Sequence, residues 1–218
     1  DYDYLGTDLK NENGDYKNYN INATLGFRLN DYHSLSLNAT VFDNDRNISR
    51  TLSTENLSNL KSKERRFLLE WKFVGDRITS SFKSAFLHED FTYLFNKNVT
   101  DNASFGESER FIAKYDFSYF LNNKIFFRSG IEFENAAGNG SSMSAVTRND
   151  ATAYFLMHHE PFERLMYNVS FRFGGSSAYD VPFIYSLDVK YALAENLSLK
   201  GAFSTNYRLP TFNDLYWE

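Results

Sequence analysis

Apolar residues stand at every second position from Tyr19 to Leu29: Tyr19, Ile21, Ala23, Leu25, Phe27 and Leu29 alternate with Asn18, Asn20, Asn22, Thr24, Gly26 and Arg28. A period of two places one set on each side of a β-strand, whereas a helix would scatter both around its circumference. The pattern returns along the whole chain. Leu35, Leu37, Ala39 and Val41 form a second segment, and Phe67, Leu69, Trp71 and Phe73 a third. Ile78, Phe82 and Phe86 mark the fourth, Phe111 to Leu121 the fifth and Ile125 to Phe133 the sixth. Asp150 to His159 is the seventh, with Tyr154 and Leu156 interrupting its polar side. Leu165 to Phe173, Phe183 to Tyr191 and Leu197 to Phe203 complete the series. About ten strands result, each near the roughly 9–11 residues that a tilted membrane-crossing strand requires.

The links between segments alternate in length. Short turns ("NDYH", "VGDR", "LNNK", "EPFER", "AEN") follow the odd segments, and longer polar stretches such as Asp43 to Lys63 and Asn96 to Ser108 follow the even ones. "NAAGNGSSMSA" and "GGSSAYD" fall where long loops are expected. Tight turns on one side and long loops on the other are the asymmetry of outer-membrane barrels. In the fourth segment the apolar set shifts after Phe86 to Phe91, Tyr93 and Phe95, which predicts a β-bulge near Leu87 to Asp90.

The polar sides carry charges in mid-segment, among them Arg28, Glu70, Lys114, Asp116, Arg128, Arg172, Asp188 and Lys190, while the apolar sides are almost free of charge. A soluble sandwich could show the same split with its apolar faces buried. The link asymmetry and the aromatic residues at segment ends favour a barrel whose apolar side meets lipid and whose polar side encloses water. A mean hydropathy of −0.49 is compatible with this, because alternating strands average out as polar. The expected fold is therefore all-β, an antiparallel up-and-down meander forming a transmembrane β-barrel. No cysteine is present, which removes disulfides and thiolate chemistry. A net charge of −5 with mixed signs argues against a nucleic-acid partner.

The chain closes on "FSTNYRLPTFNDLYW", Phe203 to Trp217, where the alternation stops. Pro210 cannot donate to a ladder, so a strand exit is expected there. Thr211 and Asp214 have a capping-box-like spacing that suggests a short capped turn tucking Leu215, Tyr216 and Trp217 against a neighbour.

Tyr207, Arg208, Pro210, Thr211, Leu215, Tyr216 and Trp217 resemble the barrel motif of TonB-dependent outer-membrane receptors, in which a rising strand ends in an aromatic-Arg-x-Pro-Thr segment followed by Leu-Tyr. The likeness is greatest to the cobalamin and siderophore receptor branch. It implies a partial barrel, the middle of one with about 22 strands. Residues 1–218 would then be one barrel segment, with the plug domain and the C-terminal strands absent. The implied function is energised uptake of a bulky, scarce nutrient (a siderophore, cobalamin or similar) across the outer membrane of a Gram-negative bacterium. The implied partners are outer-membrane lipid, the transported ligand and, through the plug, the TonB energy complex. Tyr207, Arg208 and Thr211 are the expected ligand-side residues.

Catalytic chemistry is sparse, and neither an enzyme nor a cofactor is expected. His158 and His159 are adjacent on one strand and must face opposite sides. His88, Glu89 and Asp90 form the best acid–base cluster and would carry an outer-membrane barrel hydrolase, one alternative; a passive porin or structural barrel is the other. Asp43 and Asp45 could offer hard oxygens to calcium, but the EF-hand spacing fails and a polar loop is the better reading.

Overall fold

The computed structural model describes residues 2–49, 57–208 and 210–211. A two-residue pair, β1 (Tyr2–Asp3) and β2 (Lys10–Asn11), precedes ten long strands. These are β3 (Tyr16–Arg28), β4 (His33–Asn47), β5 (Asn59–Val74), β6 (Ile78–Leu94), β7 (Ser104–Asn122), β8 (Ile125–Gly140), β9 (Met143–Phe162), β10 (Leu165–Ser176), β11 (Ile184–Ala194) and β12 (Leu197–Ser204). They form one antiparallel sheet in chain order from β3 to β12, and its two edge strands are not paired with each other.

Because paired residues share a face, the register tests the alternation directly. Leu25, Leu37, Leu69, Ser84, Ala113, Phe133 and Ala151 make one continuous row across seven strands. The neighbouring row on the opposite face runs Ser36, Glu70, Lys83, Lys114, Glu132 and Thr152. Its charges pair across strands: Lys83 lies 3.2 Å from Glu70, and Lys114 lies 3.7 Å from Glu132. Tyr154, which interrupts the polar side in sequence, donates its hydroxyl to Asp116 at 2.5 Å and so joins that network.

Among the described residues no second layer covers the apolar face. Among the described residues the only buried hydrophobic ones are Leu94 and Ala136, while Leu25 and Phe67 are about half exposed, at 58% and 49%. A sandwich would seal such rows inside. An apolar face left open over ten strands is stable only where the surroundings are themselves apolar.

The strands run well past the apolar band. On one face the last apolar row is Ala39, Phe67, Phe86 and Phe111, and the next is Val41, Arg65, His88 and Glu109. Beyond it the same face carries Asp43, Lys63, Asp90 and Glu107, while the opposite face gains Leu87, Phe91 and Tyr93. The pairing of β6 with β5 and β7 continues through Leu87 to Asp90 without a shift, so the expected bulge is absent. The apolar set changes phase because the faces exchange polarity, and the backbone does not. Phe111 to Leu121 on β7 covers about 33 Å along the strand, or about 25 Å of height at a 40° tilt, the thickness of an outer-membrane apolar band.

All four expected loops are correspondingly shorter, since Ser104 to Ser108 and Gly174 to Ser176 are also strand. Asp43 to Asn47 and Asn59 to Lys63 are strand, leaving residues 48–58 as the link, and "NAAGNGSSMSA" is mostly the β8–β9 hairpin with a link at residues 141–142. Polar composition suggests loops there, but these segments pair above the apolar band, where water tolerates charged strand faces.

Above β4 to β6 the first residues of the chain are tied down by a buried polar knot. Asn13, fully buried, donates to the carbonyls of Ile48 and Ser58, both at 2.9 Å, and accepts from Lys97 Nζ at 2.9 Å. Ser58 Oγ lies 3.0 Å from Tyr93 Oη. Replacing Asn13 with leucine removes the donor to Ile48 O and the acceptor of Lys97 Nζ, while Ser58 O keeps the Ile48 N–H at 2.9 Å, and should cost about 1–3 kcal/mol of local stability. Hydrogen exchange in residues 95–103 should quicken about tenfold or more, with the mid-sheet amides unchanged.

Candidate polar-face docking site of the closing segment

The ladder of β12 ends where the closing segment begins: Thr205 N donates to Tyr185 O at 3.0 Å, and Tyr185 N donates to Thr205 Oγ1 at 3.1 Å. From there the chain reaches β9, three strands away. Pro210 has no N–H, but its carbonyl accepts from Arg148 Nη1 at 3.1 Å. Arg148 also donates Nε to Asp150 Oδ2 at 2.8 Å. Both residues lie on the polar face, in register with Ala136 and Glu134 of β8.

This ion pair is buried, with side chains 9% and 11% exposed. It is stable there because each charge has its counter-charge and the guanidinium a further acceptor. Tyr179, in the link after β10, lies under the Arg148 guanidinium, 5.7 Å from its ring centre. Its ring is also 6.3 Å from that of Tyr207. Arg148 thus joins three otherwise separate pieces: the outer end of β9, the β10–β11 link and the closing segment. Asp150 Oδ1 and Tyr179 Oη are buried beside it without a hydrogen-bond partner among the described residues.

Of the three residues expected to face a ligand, Tyr207 is half-buried against Tyr179, whereas Arg208 and Thr211 are exposed, each with at least one interaction of its own. The structure brings the segment onto the polar face as a strap. Asp214, Leu215, Tyr216 and Trp217, and with them the expected capped turn, lie outside the described residues. Sequence reasoning missed Arg148, Asp150 and Tyr179. The available signal was "TRND" (Thr147 to Asp150), two opposite charges at a spacing of two and hence on one strand face.

The other candidates are placed differently from expectation. His88, Glu89 and Asp90 lie within β6 and not in a loop-like region. Glu89 points to the polar face, where it meets Arg66 at 2.7 Å, while His88 faces Asp90 at 3.4 Å and Glu109 at 3.2 Å on the other side. Asp43 and Asp45 are strand residues of β4 bound to Arg65 at 2.7 Å and Lys61 at 3.5 Å, so the loop reading fails. His158 and His159 do face opposite sides: His158 meets Asn168 and His159 meets Tyr167, both at 2.8 Å.

The TonB dependent receptor-like, beta-barrel family model matches residues 1–218. The vitamin B12 transporter BtuB of Photobacterium profundum is 24% identical over 211 residues, covering 93% of this chain and 33% of that protein. Among solved structures, the siderophore receptor PirA from Pseudomonas aeruginosa aligns with a TM-score of 0.76 at 14% identity, over 90% of this chain and 34% of that one. PirA from Acinetobacter baumannii aligns at 0.74 and 14%, over 89% and 34%. These two likenesses speak to the fold, and the chain spans about a third of the length of each relative. The open apolar face, the charged rows behind it and the family match over every residue lead to one statement: the chain belongs to the TonB-dependent receptors, as a portion of their β-barrel.

Proposed function

We propose that this chain is a barrel segment of an outer-membrane receptor for energised uptake of a bulky nutrient, of the vitamin B12 or siderophore kind named for its relatives. The observation that carries this is the one-layer sheet with an exposed apolar face and a charge-paired polar face, in a chain of this family. The apolar face sits in the outer membrane of a Gram-negative bacterium. The polar face surrounds a plug domain, outside residues 1–218, that passes force from the TonB energy complex. The sheet holds the plug and presents its outer segments to the ligand. Tyr207, Arg208 and Thr211 serve as ligand-side residues, held over the polar face by the Arg148 anchor.

The test uses the full-length receptor. Deleting the plug's TonB-contacting segment should reduce energised uptake at least about tenfold while leaving equilibrium binding intact; undiminished uptake overturns the proposal. A passive porin would instead conduct in planar bilayers whether or not the plug is present. Arg208→Ala should weaken ligand binding about tenfold, the loss of one charge-assisted contact.

A further inference from the structure

On the outward face, the charged rows that stand above the apolar band are not uniform across the sheet. Over β3 to β5 three successive rows read Ile21, Val41 and Arg65, then Tyr19, Asp43 and Lys63, then Lys17, Asp45 and Lys61. Four cations there stand against two carboxylates, a net charge of +2. Over β6 and β7 the same rows carry His88 with Glu109, Asp90 with Glu107, and Thr92 with Phe105. That sector holds three carboxylates and neither lysine nor arginine. A basic and an acidic sector thus lie side by side at one level.

Within the basic sector, Arg65 Nη1 is held by Asp43 Oδ1 at 2.7 Å and donates to the carbonyl of Phe42 at 3.0 Å. Lys61 Nζ lies 3.5 Å from Asp45 Oδ2, with both side chains about half exposed. Lys63 and Lys17 are exposed and make no ion pair with the described residues. Lys17 lies over the Tyr19 ring, 5.3 Å from its centre. β5 therefore presents Lys61, Lys63 and Arg65 at every second position, a comb of cations on one side of one strand. Each step of two residues rises about 5 Å at a 40° tilt, so the comb covers about 5–15 Å above Phe67, the last apolar residue of β5 on that face. The headgroup layer of a bilayer begins at that level, and long basic side chains reach along it. Contact with water explains why these rows are polar. It does not explain why one sector is basic.

We propose that the outward face of β3 to β5 binds the phosphate of an outer-leaflet lipid, held by Lys61 and Lys63 with Lys17 at its flank. The acyl chains of that lipid lie on the apolar residues directly beneath, Val41, Ala39 and Phe67. The inference rests on the outer-membrane reading above and deepens it by giving one surrounding lipid a fixed place, since the acidic sector repels the same group. Continuity with the apolar band selects a lipid over a soluble phosphate, because only a lipid touches both.

The experiment titrates the purified full-length receptor, in zwitterionic detergent, with bis-phosphorylated lipid A and reads the bound lipid by native mass spectrometry. Wild type should bind lipid A and lose the preference when the phosphates are removed from the probe. Lys61→Gln/Lys63→Gln should weaken binding about thirtyfold, as loss of two lysines does at an anionic lipid surface. Lys61→Arg/Lys63→Arg should retain it, which separates charge from folding. Lys190→Gln/Lys200→Gln removes the same charge from a paired position on the polar face and should change nothing. Glu107→Gln/Glu109→Gln should not weaken binding. Inorganic phosphate should not displace the lipid; displacement would mark a soluble-anion site and overturn the proposal. Unchanged affinity in Lys61→Gln/Lys63→Gln overturns it too, as does an equal loss in the polar-face control, which would reduce the effect to net charge. Energised uptake that persists alongside unchanged lipid affinity in Lys61→Gln/Lys63→Gln sinks the headgroup site alone. Lysine-dependent lipid binding without energised uptake sinks the transport reading alone.

Discussion

Replacing Leu69 with arginine should destabilise the receptor in a bilayer by about 2–4 kcal/mol, whereas Leu68→Arg, one residue away, should cost no more than about 1 kcal/mol. Leu69 lies in the middle of the apolar row shared with Leu37 and Ser84. Leu68 pairs with Asn38 and Ala85 on the face that carries Glu70 and Lys83. The two substitutions have the same size, charge and backbone strain, so only what each face touches can separate them. Urea midpoints of the full-length receptor folded into phospholipid vesicles measure the difference. Equal costs would mean that the apolar face does not meet hydrocarbon.

A second large effect is expected at Arg148. Arg148→Met leaves the Asp150 carboxylate buried without its cation and the Pro210 carbonyl without its donor. Breaking a buried pair from one side costs about 3–5 kcal/mol. The loss should be local, because the strand ladders on both sides of β9 remain. Proteolysis between Thr205 and Thr211 should therefore accelerate while mid-sheet exchange stays slow. The double variant Arg148→Met/Asp150→Leu should recover a large part of the stability but not the strap's attachment, since no donor to Pro210 is restored. If the single variant leaves proteolysis unchanged, the strap is held elsewhere.

The sheet was legible in the sequence because its signal is local. Tyr19 to Leu29 or Phe111 to Leu121 needs only its own residues to show which side is apolar. The outer limits were not legible, since the rule identifying a face changes sign where the lipid ends. Phe91 and Tyr93 looked like a slipped strand when they were an unslipped one in a new environment. The closing segment was marked by composition, and its likeness to the receptor family's barrel motif made Tyr207, Arg208 and Thr211 the expected ligand-side residues. Its anchor could not, because Arg148 is 62 residues from Pro210 in the chain and three strands away in the sheet. Alternation records which face a residue occupies, but not which distant loop will cross it.

The exchange of polarity follows a hydrogen-bonded row and not an individual loop, which gives the wall a waterline. Sinking by one row would drag Arg65, His88 and Glu109 together into the oily layer; rising by one would lift Phe67, Phe86 and Phe111 out of it. Each charge submerged near the edge resists by up to about 1 kcal/mol, and the penalty steepens with depth. A wall marked in this way does not bob; in the proposed receptor, a pull on the plug from below would leave it where it floats.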